Sequence, residues 1–447
     1  MNNRFCLFKR TLLALFVLLT RFYYAQTPVQ AMLIHYIDGS TYEVPISLVD
    51  SITFSYSVGN DSEPILSDSI SSNEVLQRAY QLASVVWTPL RSVPKREGGF
   101  YLPDQTVYGV PYSSVKEINT YLFQDVSYYT FMTAVHNPCS VLYTEDISQF
   151  PYHGTNCAPY YGAVCSSSVM WAFGYDIPYS SSEIIDLPDF SYIECQLIDS
   201  LKICDVIWTP GHVQMIYDME YRADTLYRVK TFETTFIGAH INDYSMVQFR
   251  RIWNLFGYVG YRYSKLLYSE EPLALQEWEP IAYNDDLCPS KGDRAVYRTI
   301  DTVRINIFNK DYDQIVLARG SSLVELNDLT EDVLKYYDLQ PGVYSAFLQN
   351  EEDKSAIVSF EIIDADVDYS LNDDGENIDI FFHSSAIPLY VSLCDVSGRS
   401  LFSCMISDSD RWRGYISVPR RYDEEYYCKV IFKGQFGRIT NVPIRVE

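Results

Sequence analysis

The sequence predicts an α+β chain, with a short β-hairpin segment at its start and two β-sandwich modules at its end. Three observations carry that expectation. A capped helical period opens the middle of the chain at about residues 73–87. Apolar residues then flank a turn between His212 and Thr235. After about residue 285, strand-like runs recur with Gly, Asp and Pro between them. A chain of 447 residues is expected to hold roughly three domains. Apolar residues make up 47 %, enough for real cores, and the 39 tyrosines favour β structure.

Residues 1–25 read as an export signal. Arg4, Lys9 and Arg10 form a basic start, "TLLALFVLLT" is the apolar stretch, and a cut falls after Ala25, with Ala31 as a second option. The apolar run is short for a bilayer, and no later segment reads as transmembrane. The protein is therefore expected to be exported (periplasmic, outer-surface or secreted) and not to span a membrane. Removing the signal takes away four positive charges and no negative one, so −24 becomes −28. Phosphates repel so acidic a chain, which argues against nucleic acid as a partner. Nine cysteines remain, an odd number that leaves at least one unpaired.

Residues 26–57 form the N-terminal β segment, a hairpin around Asp38-Gly39, a strong two-residue turn signal. The stretch resembles a short β segment common in secreted proteins of Bacteroides-type bacteria. Residues 58–73 are polar and serve as a linker. Ser71 and Glu74 have capping-box spacing. Val75, Leu76, Ala79, Leu82, Ala83 and Val86 follow on one helical face, opening a central domain over 74–282. Two modules follow, over 283–365 and 366–447. Their strand-like runs include "TVRINIF", "GVYSAFL", "AIVSFEII", "NIDIFF" and "YYCKVIF". Tyr426-Tyr427-Cys428 resembles the Tyr-x-Cys of immunoglobulin-like sandwiches, with Cys394 or Cys404 as a partner for Cys428.

The stretch "YYGAVCSSSVMWAFG" (160–174) places Cys165 where a small-residue turn becomes an apolar helix. A thiol there meets free backbone N–H groups and the positive end of the helix dipole, which favour a thiolate. The same groups can hold an oxyanion. The competing reading is a buried core cysteine. A base appears 47 residues later in "CDVIWTPGHVQMIY", where His212 follows a Pro-Gly turn and starts an apolar strand. Imidazole can take the thiol proton and return it to a leaving amine. A third group should orient the ring. If the hairpin turns near residues 222–224, the positions opposite His212 are about 233–235. Glu233 is then the candidate, with Thr235 as the choice in another register. Ser166, next to the nucleophile, is taken as a substrate contact.

Cys139 and Cys157 also lie near turns, and His136 and His153 could pair with a cysteine, but none of these precedes or opens a matching apolar element. There is no CxxC, no His pair at helical spacing and no glycine-rich phosphate loop. No metal or other cofactor is expected.

The Cys165 and His212 segments together resemble the NlpC/p-sixty superfamily of papain-like bacterial cysteine peptidases. That likeness covers roughly residues 74–280. "VCSSSVMWAFG" matches the family's nucleophile segment. "CDVIWTPGHVQMIY" matches its base segment, with Cys204 where the family has glycine. "TFETT" fills its third element. "GVPYSSV" (109–115) resembles the upstream Gly-x-Pro-Tyr piece, which implies that Tyr112 lies near the substrate's amino end. Val164 stands where the family often has an aspartate. The resemblance implies a papain-like catalytic domain cleaving amide bonds of peptidoglycan stem peptides. Two alternatives stand beside it. One is a non-catalytic surface protein binding glycan or protein through its β-modules; the other is acyl transfer on lipids by the same Cys/His pair.

Overall fold

The computed structural model describes residues 31–35, 41–45, 69–96, 98–113, 121–147, 158–175, 177, 179–193, 198–373, 377–395, 400–405, 412–419 and 426–446. The expected signal, the Asp38-Gly39 turn, residues 58–68 of the linker, Cys157 and His153 lie outside these residues. The chain divides into two units, residues 1–68 with 320–322 and residues 69–319 with 323–447. In the first unit β1 (Ala31–His35) and β2 (Thr41–Pro45) pair antiparallel, with Ala31 opposite Pro45. Strands of three residues or more are numbered here.

The expected papain-like α+β architecture is overturned by the strand content. Among the described residues strands hold 44 % and helices 16 %, so the protein is mostly β and sandwich-like. The physical reason lies in the helices themselves. Six are found among the described residues: α1 (Ser72–Ala83), α2 (Tyr128–His136), α3 (Val141–Thr144), α4 (Cys165–Ala172), α5 (Ser181–Ile184) and α6 (Met246–Phe256). They run from four to twelve residues and dress a sheet rather than building a helical lobe of their own.

That sheet has six antiparallel strands in the order β7-β6-β5-β4-β8-β3. They are β3 (Phe190–Tyr192), β4 (Val206–Thr209), β5 (His212–Arg222), β6 (Thr225–Thr235), β7 (Gly238–Ser245) and β8 (Val259–Tyr263). Both faces are covered. Val213, Met215 and Phe232 join Val75, Ala79, Val169 and Met170 of α1 and α4 in one buried cluster. Ile207, Ile216 and Val229 join Phe249 and Trp253 of α6 in another. Burial on both faces explains why "HVQMIY" is apolar almost without a break.

The β5–β6 hairpin turns at Ala223 (φ 45°) and Asp224 (φ 61°), the left-handed pair that a type I′ turn needs. Arg222 and Thr225 flank it. Tyr227 is then an extra residue on β6 and Tyr217 an extra residue on β5. The two bulges shift the register in opposite senses, so Met215 ends opposite Phe232 with the parity the turn alone would have set.

Helix α1 begins as its capping residues demand, with Ser71 accepting the Glu74 N–H at 3.1 Å. It ends at Ala83 rather than continuing to residue 87. Val86 and Trp87 instead pair with Tyr108 and Val107. Val86, expected on the buried face, is 47 % exposed.

In the region of the first module, β9 (Leu287–Pro289), β11 (Val303–Ile307) and β14 (Val333–Tyr336) form one sheet. The other is ordered β10-β16-β15-β12-β13, from β10 (Ala295–Arg298), β12 (Gln314–Arg319), β13 (Ser322–Asp328), β15 (Gly342–Gln349) and β16 (Val358–Ile363). In the last region, β17 (Val367–Asp373), β18 (Asn377–Ser384) and β21 (Trp412–Pro419) form a three-stranded sheet. The second sheet there is β20-β19-β22-β23, from β19 (Tyr390–Asp395), β20 (Ser400–Met405), β22 (Tyr426–Lys433) and β23 (Arg438–Val446). Cys394 and Cys428 are not joined to each other. Cys394 sits opposite Tyr427 and Cys428 opposite Leu393, so the two sulfurs point to opposite faces of the sheet. Among the described residues, no helix is long and apolar enough to cross a membrane.

Candidate active site

Helix α4 starts at Cys165, and its N-cap is Val164, which offers no side-chain acceptor. The first-turn N–H groups of a helix have no partner within it, so those at the Cys165 end are not capped by a side chain. Ser167 instead turns back, its hydroxyl accepting the Val164 N–H at 2.9 Å. One turn on, the Ser168 and Thr234 hydroxyls are hydrogen-bonded at 2.6 Å. That bond ties the nucleophile's helix to β6, next to Glu233. Cys165 itself is 5 % exposed.

His212 enters β5 directly from a tight turn. Thr209 and His212 face each other, and Pro210 and Gly211 occupy the turn between them. Gly211 has φ 84°, the left-handed conformation that suits glycine at the third position of a type II turn. Continuing the β5–β6 register three residues past Met215 and Phe232 sets Gln214 against Glu233 and His212 against Thr235. Glu233 is therefore diagonal to His212 on the same face.

The side chains meet there. Glu233 Oε2 lies 2.5 Å from His212 Nε2, and the Cys165 side chain is near enough to act on the same imidazole. Since Nε2 is held by the carboxylate, Nδ1 is the ring nitrogen left to exchange a proton with sulfur. Burial acts to lower the His212 pKa, but interactions with Cys165 and Glu233 outweigh it and hold the ring up at about 10. Burial acts to raise Glu233, and hydrogen bonds from His212 and His240 outweigh it and hold the carboxyl down at about 2. At neutral pH the arrangement is an imidazolium clamped by a carboxylate.

Two residues of this site were missed by the sequence reading. Asn242 donates to Glu233 Oε1, and His240 Nε2 lies 3.6 Å from the same oxygen. Both sit on β7, where His240 is directly opposite Glu233. His240 also donates from Nδ1 to the Gly238 carbonyl at 2.8 Å. The signal was present in "TFIGAHINDY", whose Phe236-Ile237 turn allows the same counting across a hairpin that pointed to Glu233.

The "GVPYS" segment lies between the two walls of the site. On one side Ala239 N–H donates to the Val110 carbonyl at 2.8 Å. On the other, Ala163 N–H donates to the Pro111 carbonyl at 3.0 Å, and Ser113 N–H to the Ala163 carbonyl at 3.2 Å. Tyr112 thus pairs with Ala163, two residues before the nucleophile. Gly109 permits this approach, because a Cβ there would sit 2.0 Å from the Ala239 carbonyl oxygen. Ser166 is buried on the first turn of α4, at 4 % exposure.

The remaining candidates fall elsewhere. Cys139 caps no long helix, and its N–H donates to the Asn137 side chain at 2.9 Å. His136 is stacked on Tyr283 with centroids 3.4 Å apart. Cys204, in place of a glycine, adopts φ 66°, the backbone conformation glycine favours. Its thiol is fully buried and pushed up by burial. Asp205 beside it accepts from Arg262 Nε at 2.8 Å and Nη2 at 2.6 Å, which anchors the start of β4. Among the described residues, no group of three or more His, Cys, Asp or Glu is arranged to hold a metal.

No family model matches the chain, and no curated protein matches it. Several solved structures are similar to about a third of it. The human OSCAR ligand-binding domain is 11 % identical, with 37 % of this chain and 98 % of that chain covered and a TM-score of 0.17. The fibronectin(III)-like modules of Clostridium thermocellum CbhA are 10 % identical, covering 36 % and 90 %, with a TM-score of 0.19. A chimeric titin Z1Z2 tandem is 16 % identical, covering 34 % and 92 %, with a TM-score of 0.14. These neighbours are immunoglobulin- and fibronectin-like β-domains.

Proposed function

We propose that the protein is an exported thiol hydrolase of the NlpC/p-sixty kind in its chemistry, acting on amide bonds of peptidoglycan stem peptides. One observation carries the reading: the meeting of Cys165, His212 and Glu233 from a helix start, a strand start and the neighbouring strand. Three groups so placed satisfy the geometric needs of nucleophilic catalysis. The Cys165 sulfur attacks the amide carbonyl carbon, and His212 holds the proton that the leaving group needs. The oxyanion that forms is held by N–H groups at the α4 N-terminus. As the C–N bond breaks, His212 passes the proton to the departing amine. Water, deprotonated by the same imidazole, then hydrolyses the thioester and frees the thiol. Glu233 holds the ring and its charge throughout. Incubation of the native protein and Cys165→Ala with purified wall fragments tests this. New amino termini are expected with the native protein only. Equal cleavage by Cys165→Ala defeats the assignment.

A second reading is a surface protein that binds glycan or protein through its β-modules without cutting. A feature of the last module favours it. Phe381 and Tyr415 are opposite each other across β18 and β21, 44 % and 55 % exposed, with ring centroids 5.0 Å apart. The two rings, inclined at 42°, offer exposed aromatic surface to a ligand. Under this reading Cys165→Ala binds wall polymers as the native protein does, and neither form cleaves them.

A further inference from the structure

We propose that Arg96 and Tyr112 form a subsite that receives a carboxylate of the substrate beside Cys165. This rests on the hydrolase reading and names a substrate feature it leaves open. Arg96 lies in the turn of a short hairpin in which Val93–Pro94 pairs with Phe100–Tyr101. Its guanidinium carbon is 4.4 Å from the centre of the Tyr112 ring. Its Nε is buried without a hydrogen-bond partner. Among the described residues, no acidic side chain pairs with it. In a chain of net charge −24, a cation with no acid beside it among the described residues is a feature to be explained.

Tyr112 brings this charge to the site. Its backbone is bridged to Ala163, two residues ahead of the nucleophile. Ser113 turns its hydroxyl to the Pro159 carbonyl at 2.5 Å and is buried. In an extended segment the neighbouring side chain faces the other way, and Tyr112 is half-buried. A guanidinium laid on an aromatic ring is held in place while its in-plane N–H donors stay available. Those donors form a fork that matches a carboxylate. A protonated amine at the same place would be repelled. The group received by Tyr112 is therefore acidic, in contrast to the amino end that the family resemblance implies for this tyrosine.

The test alkylates Cys165 in the full-length reduced protein with iodoacetate and with iodoacetamide, and follows the Cys165 peptide by mass spectrometry. Both reagents form a carbon–sulfur bond as iodide leaves, and only iodoacetate carries a carboxylate. The iodoacetate-to-iodoacetamide rate ratio is expected to fall about three- to ten-fold in Arg96→Gln and to stay near the native value in Arg96→Lys. An unchanged ratio in Arg96→Gln overturns the subsite, even where Cys165 reacts fast with both reagents. A ratio that falls while Cys165 reacts no faster than in the unfolded chain keeps the subsite and defeats the hydrolase reading instead.

Discussion

Glu233 and His212 sit on adjacent strands, one register step apart on the diagonal, with their side chains 2.5 Å apart. The carboxylate is itself held from behind by Asn242 and His240. The ring is therefore oriented by a group that is not free to turn away.

Glu233→Gln keeps the shape of that group and removes its charge. His212 then loses part of what retains its proton, and less of the imidazolium is present at neutral pH. Capture of Cys165 by iodoacetamide at pH 7 should slow about tenfold or more. A rate equal to that of the native protein would show that the carboxylate does no more than fill space.

The same pair makes stability depend on pH in a definite direction. Glu233 is held down from 4.5 to about 2, so its contribution is whole above 4.5 and is lost as pH falls towards 2. His212 is held up from 6.5 to about 10, so its contribution is whole below 6.5 and is lost as pH rises through 10. The gap in unfolding free energy between the native protein and Glu233→Gln should thus be widest at about pH 5–6. Urea denaturation across the pH range measures it. A gap that does not vary with pH contradicts the ion pair.

Ser168 and Thr234 share a hydrogen bond at 2.6 Å and are almost fully buried. Ser168→Ala leaves the Thr234 hydroxyl without that partner and should cost about 1–3 kcal/mol. Adding Thr234→Val should cost less than a second penalty of that size, because no orphaned hydroxyl then remains. Denaturation of the two single variants and the double variant gives the coupling.

Gly109→Ala meets two obstacles, a backbone with φ 79° and the Ala239 carbonyl in the space its Cβ needs. The segment must move off the β6–β7 turn, carrying Tyr112 with it. A loss of about 1–3 kcal/mol of stability should accompany slower alkylation of Cys165. Native stability together with native reactivity would place the segment outside the site.

Some of this was legible in the sequence. The β5–β6 hairpin declares itself by "RADT" between apolar runs, and counting back from that turn reaches Glu233. The count succeeds because the extra residues Tyr217 and Tyr227 cancel. Neither bulge leaves a mark in the apolar pattern. The quoted module runs are strands because each has a buried face, as Tyr344, Ala346 and Leu348 do in β15. Strands β13 and β17 were not legible, since nearly all their residues are exposed and no alternation is imposed on them. The overall class was misread for another reason. The papain-like α+β class follows from the likeness of the Cys165 and His212 segments, whereas the helices at residues 72–83 and 165–172 are only twelve and eight residues long. Arg96 gave no signal, because its contact with Tyr112, sixteen residues on, follows neither a helical nor a strand period.

The two opposed bulges also limit how this hairpin can change length. Deleting either Tyr217 or Tyr227 alone would leave one offset uncorrected, and every side chain beyond it would swap sides, taking the acid away from the imidazole. Removing both restores the match, as would any paired edit on the two arms. Homologous chains that keep the chemistry should therefore differ here by compensated insertions or deletions, and a lone single-residue gap in this ribbon should mark a relative that has lost it.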